Sequence, residues 1–289
     1  MPELPEVETV RRDLEKYLVG KKIKDITIKP DFLNKISPNK EEFVSLLQGK
    51  KLIDVDRVGK LLILDFGLNK KLLVHLKMTG QFVFVPPRGR IIQSGHPVEQ
   101  TRSAPDKYNK ASFNFGKNGV LYFNDMRKFG YLKVVSNKSA EVERARYGVE
   151  PIQSAFTLKK FNELLEKRPN MEIKKFLLMQ NFISGIGNIY VDEACFATSI
   201  MGDRKIRTLS EPERKKLYQS IKKIIKKAVE MRGTSVNTYV DGSGQKGNYV
   251  KYLKVYSRVG KKCLRCKKAT IKKMKVAGRG TSYCPACQK

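Results

Sequence analysis

The amino-acid sequence predicts an α+β multidomain protein with an N-terminal helix, an antiparallel β-sandwich, a helical domain and a small C-terminal β-ribbon. Short apolar segments bounded by turn residues fill the first half of the chain, which is typical of strands. In the second half apolar residues recur at helical spacing, and four of the five cysteines follow near the end. At 289 residues the chain is long enough for several domains.

The elements of the first half follow from this pattern. A helix is predicted over residues 6–18, because Val7, Val10 and Leu14 fall on one face. Strands are predicted between residues 22 and 135 as an antiparallel sandwich or barrel. The stretch 86–110 is rich in Pro, Gly and Ser, and we expect a mobile surface loop there.

The second half is predicted to be helical up to its glycine-rich part. Polar residues replace the strand pattern at 136–151, which indicates a domain boundary. Helices are then predicted over 158–166, 171–179, 189–197 and 211–231. Residues 232–258 combine glycines, polar residues and tyrosines, and we expect a flexible segment that could fold over a ligand.

The charge balance points to a polyanionic partner. The chain has 59 Lys and Arg against 28 Asp and Glu, a net charge of +31, so nucleic acid is the first candidate. A membrane surface is the rival, but no run approaches the ~20 apolar residues of a spanning helix, and no signal-peptide core opens the chain. We therefore expect a soluble intracellular protein. Only two histidines are present, which argues against histidine-based acid–base chemistry.

The N-terminus offers a nucleophile. After removal of Met1 the chain would begin with the secondary amine of Pro2, with Glu3 beside it. An α-amine titrates near 7.7 to 8.0, so roughly a tenth is unprotonated at neutral pH, and the unprotonated amine attacks carbonyl carbon. The alternative is that Pro2 and Pro5 merely stiffen a disordered end.

Three groups of turn residues are further candidates, each with two interpretations. Lys60 opens an apolar strand, where its ammonium either reaches an anion or is simply solvated. Met78, Arg127 and Phe129 lie in turns between strands and are either core residues or wedges that enter a base stack. The glycines of Ser184–Tyr190 either form a tight turn or let a phosphate approach a helix N-terminus.

The strongest spacing in the chain is that of the C-terminal cysteines. Two Cys-x2-Cys pairs separated by 17 residues match a four-cysteine zinc ribbon, formed by Cys263, Cys266, Cys284 and Cys287. Four thiolates close the coordination shell, so one structural Zn²⁺ is predicted. The turn of this ribbon presents Arg279 between two glycines, where its guanidinium could bind a phosphate. The remaining Cys195 is predicted to be a buried, inert thiol.

These motifs, in their order along the chain, resemble those of bacterial formamidopyrimidine-DNA glycosylases, a family grouped with endonuclease VIII. The matching segments are MPELPEVE, RVGK, HLKMTG, NDMRKFG, SGIGNIYVDE and GRGTSYCPACQK. The resemblance implies a bifunctional DNA glycosylase/AP lyase of base excision repair. Such an enzyme excises oxidised purines, namely 8-oxoguanine and formamidopyrimidines, from duplex DNA through a Schiff base with its N-terminal proline, followed by β,δ-elimination.

The resemblance also implies the catalytic residues. Pro2 is then the nucleophile and Glu3 the general acid, and Glu6 belongs to the same N-terminal signature. Lys60 looks like the lysine that contacts the lesion phosphate and donates a proton in β-elimination. Arg279 looks like the ribbon arginine linked to δ-elimination and phosphate binding.

A set of DNA-binding residues is implied in the same way. Met78, Arg127 and Phe129 match the residues that fill the gap left by the flipped base, with Arg127 facing the orphaned cytosine. Beyond these, Lys60 and Arg279, the implied DNA-binding residues are Tyr108, Arg168, Lys174 and Asn188. Thr238 and Tyr239 fall in the loop that caps the flipped base.

The chain departs from the family pattern in one place. Residues 107–110 read Lys-Tyr-Asn-Lys where the family usually has Lys-His-x-His, so Tyr108 replaces a DNA-contacting histidine. Two alternatives stay open: a non-catalytic DNA-binding protein on the same scaffold, and an enzyme for oxidised pyrimidines like endonuclease VIII. Leu4, where that relative typically has glycine, favours the purine branch.

The implied organisation has five parts. They are a catalytic β-sandwich domain (1–136), a linker (137–155), a helix-two-turns-helix DNA-binding domain (156–232), a lesion-capping loop with its connection (233–260) and the zinc ribbon (261–289). The expected partner is damaged double-stranded DNA, bound by a monomer that contacts no membrane. The expected location is the cytoplasm of a bacterium, on its nucleoid.

Overall fold

The computed structural model describes residues 2–67, 69–88, 91–95, 105–234 and 248–289. The chain divides into two compact units. The first comprises Met1–Ala145 and Arg232–Asn248, and the second comprises Arg146–Met231 and Tyr249–Lys289. The second unit therefore contains both the helices and the cysteine ribbon.

The first unit opens with helix α1 (Leu4–Leu18), which starts earlier than the sequence pattern predicts. Pro5 lies in its first turn, where a missing backbone N–H leaves no hydrogen bond unmade. Val7, Val10 and Leu14 are buried in the core of the unit, as their spacing predicts. Two more helices belong to this unit, α2 (Lys40–Leu47) and α3 (Asn137–Arg144). The second of these lies in the stretch predicted as a linker.

Two five-stranded sheets form the body of the first unit. In chain order the strands are β1 (Asp25–Ile28), β2 (Ile36–Ser37), β3 (Asp54–Val58), β4 (Leu61–Asp65), β5 (Lys70–His75), β6 (Gly80–Val85), β7 (Ile92–Gly95), β8 (Asn109–Asn114), β9 (Val120–Asp125) and β10 (Tyr131–Ser136). One sheet has the order β1-β8-β9-β6-β7 and the other β2-β10-β5-β4-β3. All pairs are antiparallel except the short β2–β10 pair.

One apolar cluster joins the two sheets with α1 and α2. Its aromatic centre is Phe123, whose ring centroid lies 5.3 Å from that of Phe82 and 5.6 Å from that of Phe32. The predicted antiparallel β-sandwich with an N-terminal helix is thus confirmed. The predicted loop 86–110 contains strand β7, which the sequence pattern did not indicate, and the first two residues of β8. Residues 89–90 and 96–104 lie outside the described part.

The second unit has four α-helices and a two-stranded ribbon among its described residues. These are α4 (Leu158–Glu166), α5 (Ile173–Leu177), α6 (Asn188–Thr198), α7 (Glu211–Glu230), β11 (Lys272–Val276) and β12 (Arg279–Tyr283). A capping box starts α7, because Ser210 and Glu213 each bind the other's backbone N–H. The predicted helical domain and C-terminal ribbon are confirmed. None of the helices in the described ranges has the length and apolarity needed to cross a bilayer.

The ribbon is a tight hairpin. Val276 pairs with Arg279 across a two-residue turn, Ala277 and Gly278, whose φ angles are 49° and 74°. Positive φ at both turn residues is the geometry that matches the twist of the flanking strands. Arg279 is therefore fixed at the first position of β12, directly after the turn.

Candidate functional site

The N-terminal segment is ordered and buried. Pro2 and Glu3 are both buried, and Glu3 is the N-cap of α1. The Glu6 carboxylate accepts a hydrogen bond from the Glu3 N–H at 2.8 Å and another from the Thr234 N–H at 2.7 Å. This order contradicts the alternative in which the prolines only stiffen a disordered end.

The return of the chain at residues 232–234 completes this arrangement. Gly233 has a φ of +83°, and a Cβ at this position would lie 2.7 Å from Glu6 Oε1. Glycine is required here both for the backbone conformation and for the approach of the carboxylate. Arg232 binds Asp13 of α1 at 2.6 Å. The segment that leads into residues 235–247 is thus attached to α1 at two points.

Lys60 lies in the turn between β3 and β4, and its side chain is buried. The turn is held by Arg57, which donates through Nη1 to the Gly59 carbonyl at 2.9 Å and through Nε to Glu8 of α1 at 3.0 Å. Burial of Lys60 contradicts the solvated strand-end interpretation. Neither Arg57 nor Glu8 can be recognised from the sequence, because each resembles an ordinary surface charge.

Glu8 is the acidic centre of this cluster. Its carboxylate also binds Arg11 and Arg12 on α1, at 3.2 and 2.8 Å. Burial raises the pKa of Glu8, but the charges of Arg57 and Arg11 and the hydrogen bonds from Arg57 and Arg12 lower it by a larger amount. The pKa of Glu8 therefore lies below its ordinary value. Glu8 is therefore ionised at neutral pH.

The strand before the Met78 turn ends in His75. Burial, with smaller contributions from Lys77 and Lys60, lowers the pKa of His75 to about 3. Its Nδ1 accepts a hydrogen bond from the Lys77 N–H at 3.0 Å, which places the proton of the neutral ring on Nε2. His75 is therefore a neutral donor at pH 7, in agreement with the argument against histidine acid–base chemistry.

The turns that carry Met78 and Arg127 are joined by buried polar groups. Asp125 is fully buried; it accepts hydrogen bonds from the Thr79 hydroxyl, from the Gly130 N–H at 2.7 Å and from the Arg127 N–H at 3.2 Å. The carboxylate thus fixes both ends of the turn that Arg127 occupies. The role of Asp125, whose carboxylate makes the contacts that hold this turn, cannot be recognised from the sequence.

Two of the predicted wedge residues lie exposed on this turn. Phe129 is 48% exposed, and the Arg127 guanidinium lies 4.6 Å from the centroid of its ring. Met78, in the neighbouring turn, is half-buried. Tyr108 is also half-buried, and its N–H binds the Asp106 carboxylate at 2.8 Å. Of these four predicted DNA-binding residues, Arg127 and Phe129 are thus exposed, and Met78 and Tyr108 are partly exposed.

In the second unit, Lys174 and Asp192 form an ion pair in which both side chains are 0% exposed, with Nζ and Oδ1 2.5 Å apart. Lys174 was predicted to contact DNA, but its ammonium is buried against Asp192 and the Gly280 carbonyl. A direct contact with DNA would need an exposed ammonium. Arg168, the other basic prediction in this part, is exposed and lies over the ring of Phe182.

Asn188 is the first residue of α6, after the glycine-containing loop. Gln180 holds this loop: its amide accepts from the Gly185 N–H and donates to the Ile186 carbonyl, both at 2.9 Å. Asn188 Nδ2 donates to the Gly280 carbonyl at 2.9 Å. The start of α6 and the start of β12 are therefore connected through the Asn188 side-chain amide.

Glu193, the residue after Asp192, binds the chain that returns from residue 248. Its carboxylate accepts from the backbone N–H groups of Lys254, Val255 and Tyr256, at 2.9 to 3.0 Å. Burial raises the pKa of Glu193, although these hydrogen bonds oppose the rise. Its backbone partners lie some sixty positions away, and the sequence contained no signal for them.

The four ribbon cysteines form a metal site. All four Sγ atoms lie within 4.8 Å of one another; Cys263 and Cys287 are 3.9 Å apart, and Cys266 and Cys284 are 3.8 Å apart. Tetrahedral Zn²⁺ with bonds of about 2.3 Å requires sulfur separations of about 3.8 Å. The residues therefore fit one structural zinc, and the prediction is confirmed. Cys195 is fully buried, and burial raises its pKa to about 12.

Three protein-family models match the chain in order. They are the formamidopyrimidine-DNA glycosylase N-terminal domain over residues 1–132, the H2TH domain of the same enzymes over residues 147–240, and the zinc finger found in FPG and IleRS over residues 260–289. This order, with the four-cysteine site, defines a DNA glycosylase of the H2TH and zinc-finger class.

Whole-length relatives agree. The formamidopyrimidine-DNA glycosylase of Pelotomaculum thermopropionicum is 39% identical and covers 100% of this chain and 99% of its own. The Lactococcus lactis Fpg in complex with DNA that contains an abasic site is 35% identical, with a TM-score of 0.86 and 99% coverage of both chains. Its complex with N7-benzyl-Fapy-dG DNA has 34% identity, a TM-score of 0.86 and full coverage. The chain belongs to the formamidopyrimidine-DNA glycosylase family.

Proposed function

We propose that this DNA glycosylase of base excision repair excises oxidised purines with the Pro2 amine as nucleophile and then cleaves the strand as an AP lyase. The observation that carries the proposal is the buried N-terminal segment, in which Pro2 and Glu3 are fixed at the start of α1. An ordered terminus can hold an amine in a reactive geometry, whereas a frayed one cannot.

The chemistry would proceed by covalent catalysis. The lone pair of the unprotonated Pro2 amine attacks C1′ of the damaged nucleotide, and the C1′–base bond breaks with its electron pair leaving on the base, which takes up a proton. The nitrogen then loses its own proton, and its lone pair expels the ring oxygen from C1′ as Glu3 protonates that oxygen, which opens the sugar ring. The resulting iminium acidifies the C2′ hydrogen. Loss of that proton expels the 3′ phosphate by β-elimination, and a second elimination expels the 5′ phosphate. Lys60 and Arg279 are proposed for proton transfer and phosphate binding in these steps.

Damaged duplex DNA is the proposed substrate. The net charge of +31 supports binding to phosphates, and the exposed Arg127 and Phe129 support insertion into a base stack. The two Lactococcus lactis complexes that resemble this chain hold DNA with an abasic site and with a Fapy-dG derivative. We further propose a monomer that works in the cytoplasm on nucleoid DNA, and a lesion-capping role for the loop that holds Thr238 and Tyr239, which lies outside the described residues.

Borohydride trapping on 8-oxoguanine DNA tests the nucleophile. Reduction should convert the iminium into a stable protein–DNA adduct, which mass spectrometry should map to Pro2. The adduct should disappear in Pro2→Gly, and also in a preparation that retains Met1, because Pro2 is then an amide. An equal amount of adduct from the Met1-blocked protein would refute the assignment.

The choice between purine and pyrimidine lesions needs a separate comparison. Excision of 8-oxoguanine opposite cytosine is expected to exceed excision of thymine glycol, because Leu4 favours the purine branch. Faster release of thymine glycol would instead support an activity like that of endonuclease VIII. If DNA is bound with no excision and no adduct, the non-catalytic alternative would stand.

A further inference from the structure

The outer edge of strand β12 is bound by side chains instead of by a third strand. In an antiparallel pair, alternate residues direct their N–H and C=O groups away from the partner strand. Because Val276 and Arg279 flank the turn, Gly280 and Ser282 are the residues that direct theirs outward. Two of these outward groups, the Gly280 carbonyl and the Ser282 N–H, are bound by side chains of α5 and α6.

The Lys174–Asp192 pair supplies the hydrogen bonds that a third strand would make to this edge of β12. The Lys174 ammonium donates to the Gly280 carbonyl at 3.1 Å, and the second oxygen of Asp192 accepts from the Ser282 N–H at 2.8 Å. One donor and one acceptor thus meet β12 as the backbone of a neighbouring strand would. Asn188, one helical turn before Asp192 on α6, adds a second donor to the same carbonyl.

The surroundings fix the pair itself. Lys174 donates its backbone N–H to the Gly202 carbonyl at 2.9 Å. A Cβ on Gly202 would lie 3.3 Å from the Lys174 Cβ and 3.6 Å from Thr281 Cγ2, so this backbone approaches both α5 and β12. Gly280 and Ser282, which the pair binds, lie one and three positions after the exposed Arg279. A shift of β12 would therefore move Arg279.

We infer that Lys174 and Asp192 are positioning residues that act through β12 to hold Arg279 for phosphate binding and the second elimination. This inference rests on the proposed function of Arg279. It assigns Lys174 a role without any contact with DNA, and it makes Asp192 as important as Lys174. It also predicts that the requirement is for the two hydrogen bonds to β12, and not for the charges.

A double-mutant cycle with Arg279→Ala tests the inference. Arg279→Ala and Lys174→Met should each lower the ratio of δ- to β-elimination products on abasic DNA at least tenfold, and Lys174→Met should have no further effect in the Arg279→Ala background. The neutral pair Lys174→Gln with Asp192→Asn, which can still donate to Gly280 and accept from Ser282, should recover most of the lost ratio. Lys175→Met is the matched control, since Lys175 is the exposed neighbour on α5.

Two results would overturn the inference. One is a full additional loss when Lys174→Met is combined with Arg279→Ala. The other is failure of the Gln–Asn pair while zinc content and circular dichroism remain those of the wild type, because Lys174 would then be needed as a cation. Should Lys174→Met fail to retain zinc, the Gln–Asn pair alone decides between these results.

The same double-mutant cycle can be measured on DNA affinity, which does not depend on cleavage of the DNA. Binding to duplex DNA with a tetrahydrofuran abasic analogue should weaken in Lys174→Met and in Arg279→Ala, and the two losses should not add. If the wild type forms no borohydride adduct while this coupling is present, the proposed function fails and the positioning role stands. Additive losses in affinity with a normal wild-type adduct would refute the positioning role alone.

Discussion

At the scale of single residues, buried charges hold the groups proposed for catalysis. Glu8 binds Arg57 of the Lys60 turn, and Glu6 binds the backbone of Glu3. Neither acid needs to touch a substrate to be essential. Glu8 also connects α1 to the end of β3, at the turn to β4, and Glu6 also connects α1 to the backbone of Thr234. Loss of such a buried partner leaves the other group without compensation.

Glu8→Gln should lower the free energy of unfolding by about 3 kcal/mol at pH 7, because three arginines lose their ionised partner. The pKa of Glu8 in the folded state is lowered, so this stability is present above its unfolded pKa of about 4.3 and is lost as pH falls through the lower folded value. Urea unfolding from pH 7 to pH 3 should show the two proteins converging at the acid end.

Glu15→Gln is the control for this prediction. Glu15 binds Arg11 on the same helix at 2.8 Å, but its side chain is 48% exposed. We expect a loss of about 0.5 kcal/mol or less. A loss as large as that of Glu8→Gln would contradict the distinction between the buried and exposed pairs.

Gly233→Ala should damage the N-terminal segment as well as the local backbone. The positive φ alone should cost about 1 to 2 kcal/mol, and the clash with the Glu6 carboxylate should displace the contact with Glu3. We expect at least a tenfold lower rate of borohydride adduct formation. Gly260→Ala has a similar φ, +81°, with no atom within 4 Å of the added Cβ, and should lose stability without losing adduct. Equal adduct rates would refute the clash.

At the scale of elements, the turn between β9 and β10 shows how a strand end presents exposed side chains. Asp125 closes β9 and binds two backbone N–H groups of the following turn. Because these bonds fix the turn from inside, Arg127 and Phe129 can remain exposed without disorder of their backbone. The same arrangement would hold a wedge ready before DNA arrives.

Asp125→Ala should remove the acceptor of the Gly130 N–H, leave the Arg127 N–H with the Thr79 hydroxyl as its remaining acceptor, and destabilise the protein by about 1 to 3 kcal/mol. If Arg127 faces the orphaned base, the variant should also lose preference for cytosine over adenine opposite the lesion. Excision rates on the two duplexes measure this. Asp54→Ala, an exposed strand residue, should change neither quantity. Unchanged base preference in a destabilised Asp125→Ala would contradict the positioning of Arg127.

At the scale of the whole molecule, zinc belongs to the second unit, and its loss should act there. Chelation of zinc or Cys284→Ser should unfold the ribbon, because the four thiolates cross-link it through the metal. Arg279 should then lose its fixed position. We expect DNA affinity to fall at least a hundredfold, measured by fluorescence anisotropy at fixed salt. Ser45→Ala, at an exposed position of α2 in the first unit, is the control variant and should keep the wild-type affinity. Retained affinity in a verified zinc-free protein would refute this.

The sequence predicted those features that depend on local periodicity or fixed spacing. Strands β1, β3 to β6 and β8 to β10, helices α4 and α7, and the zinc site are where the pattern indicated them. It could not predict the burial of Lys174, because a lysine beside a second lysine resembles a solvated helix face until its partner 18 positions away is known. Strands β2 and β7 and helices α2 and α3 were missed because segments of two to eight residues are too short to show a clear period.

The side-chain pair at the outer edge of β12 has a consequence for solubility. A two-stranded ribbon with a free edge is a template on which another chain can add a strand. Lys174 and Asp192 occupy two of the backbone groups that such an added strand would need. A chain that lost the pair would leave the Ser282 N–H without the Asp192 acceptor and the Gly280 carbonyl with Asn188 as its remaining side-chain donor. In this strongly basic protein we expect any resulting self-association first at high ionic strength, where charge repulsion is screened.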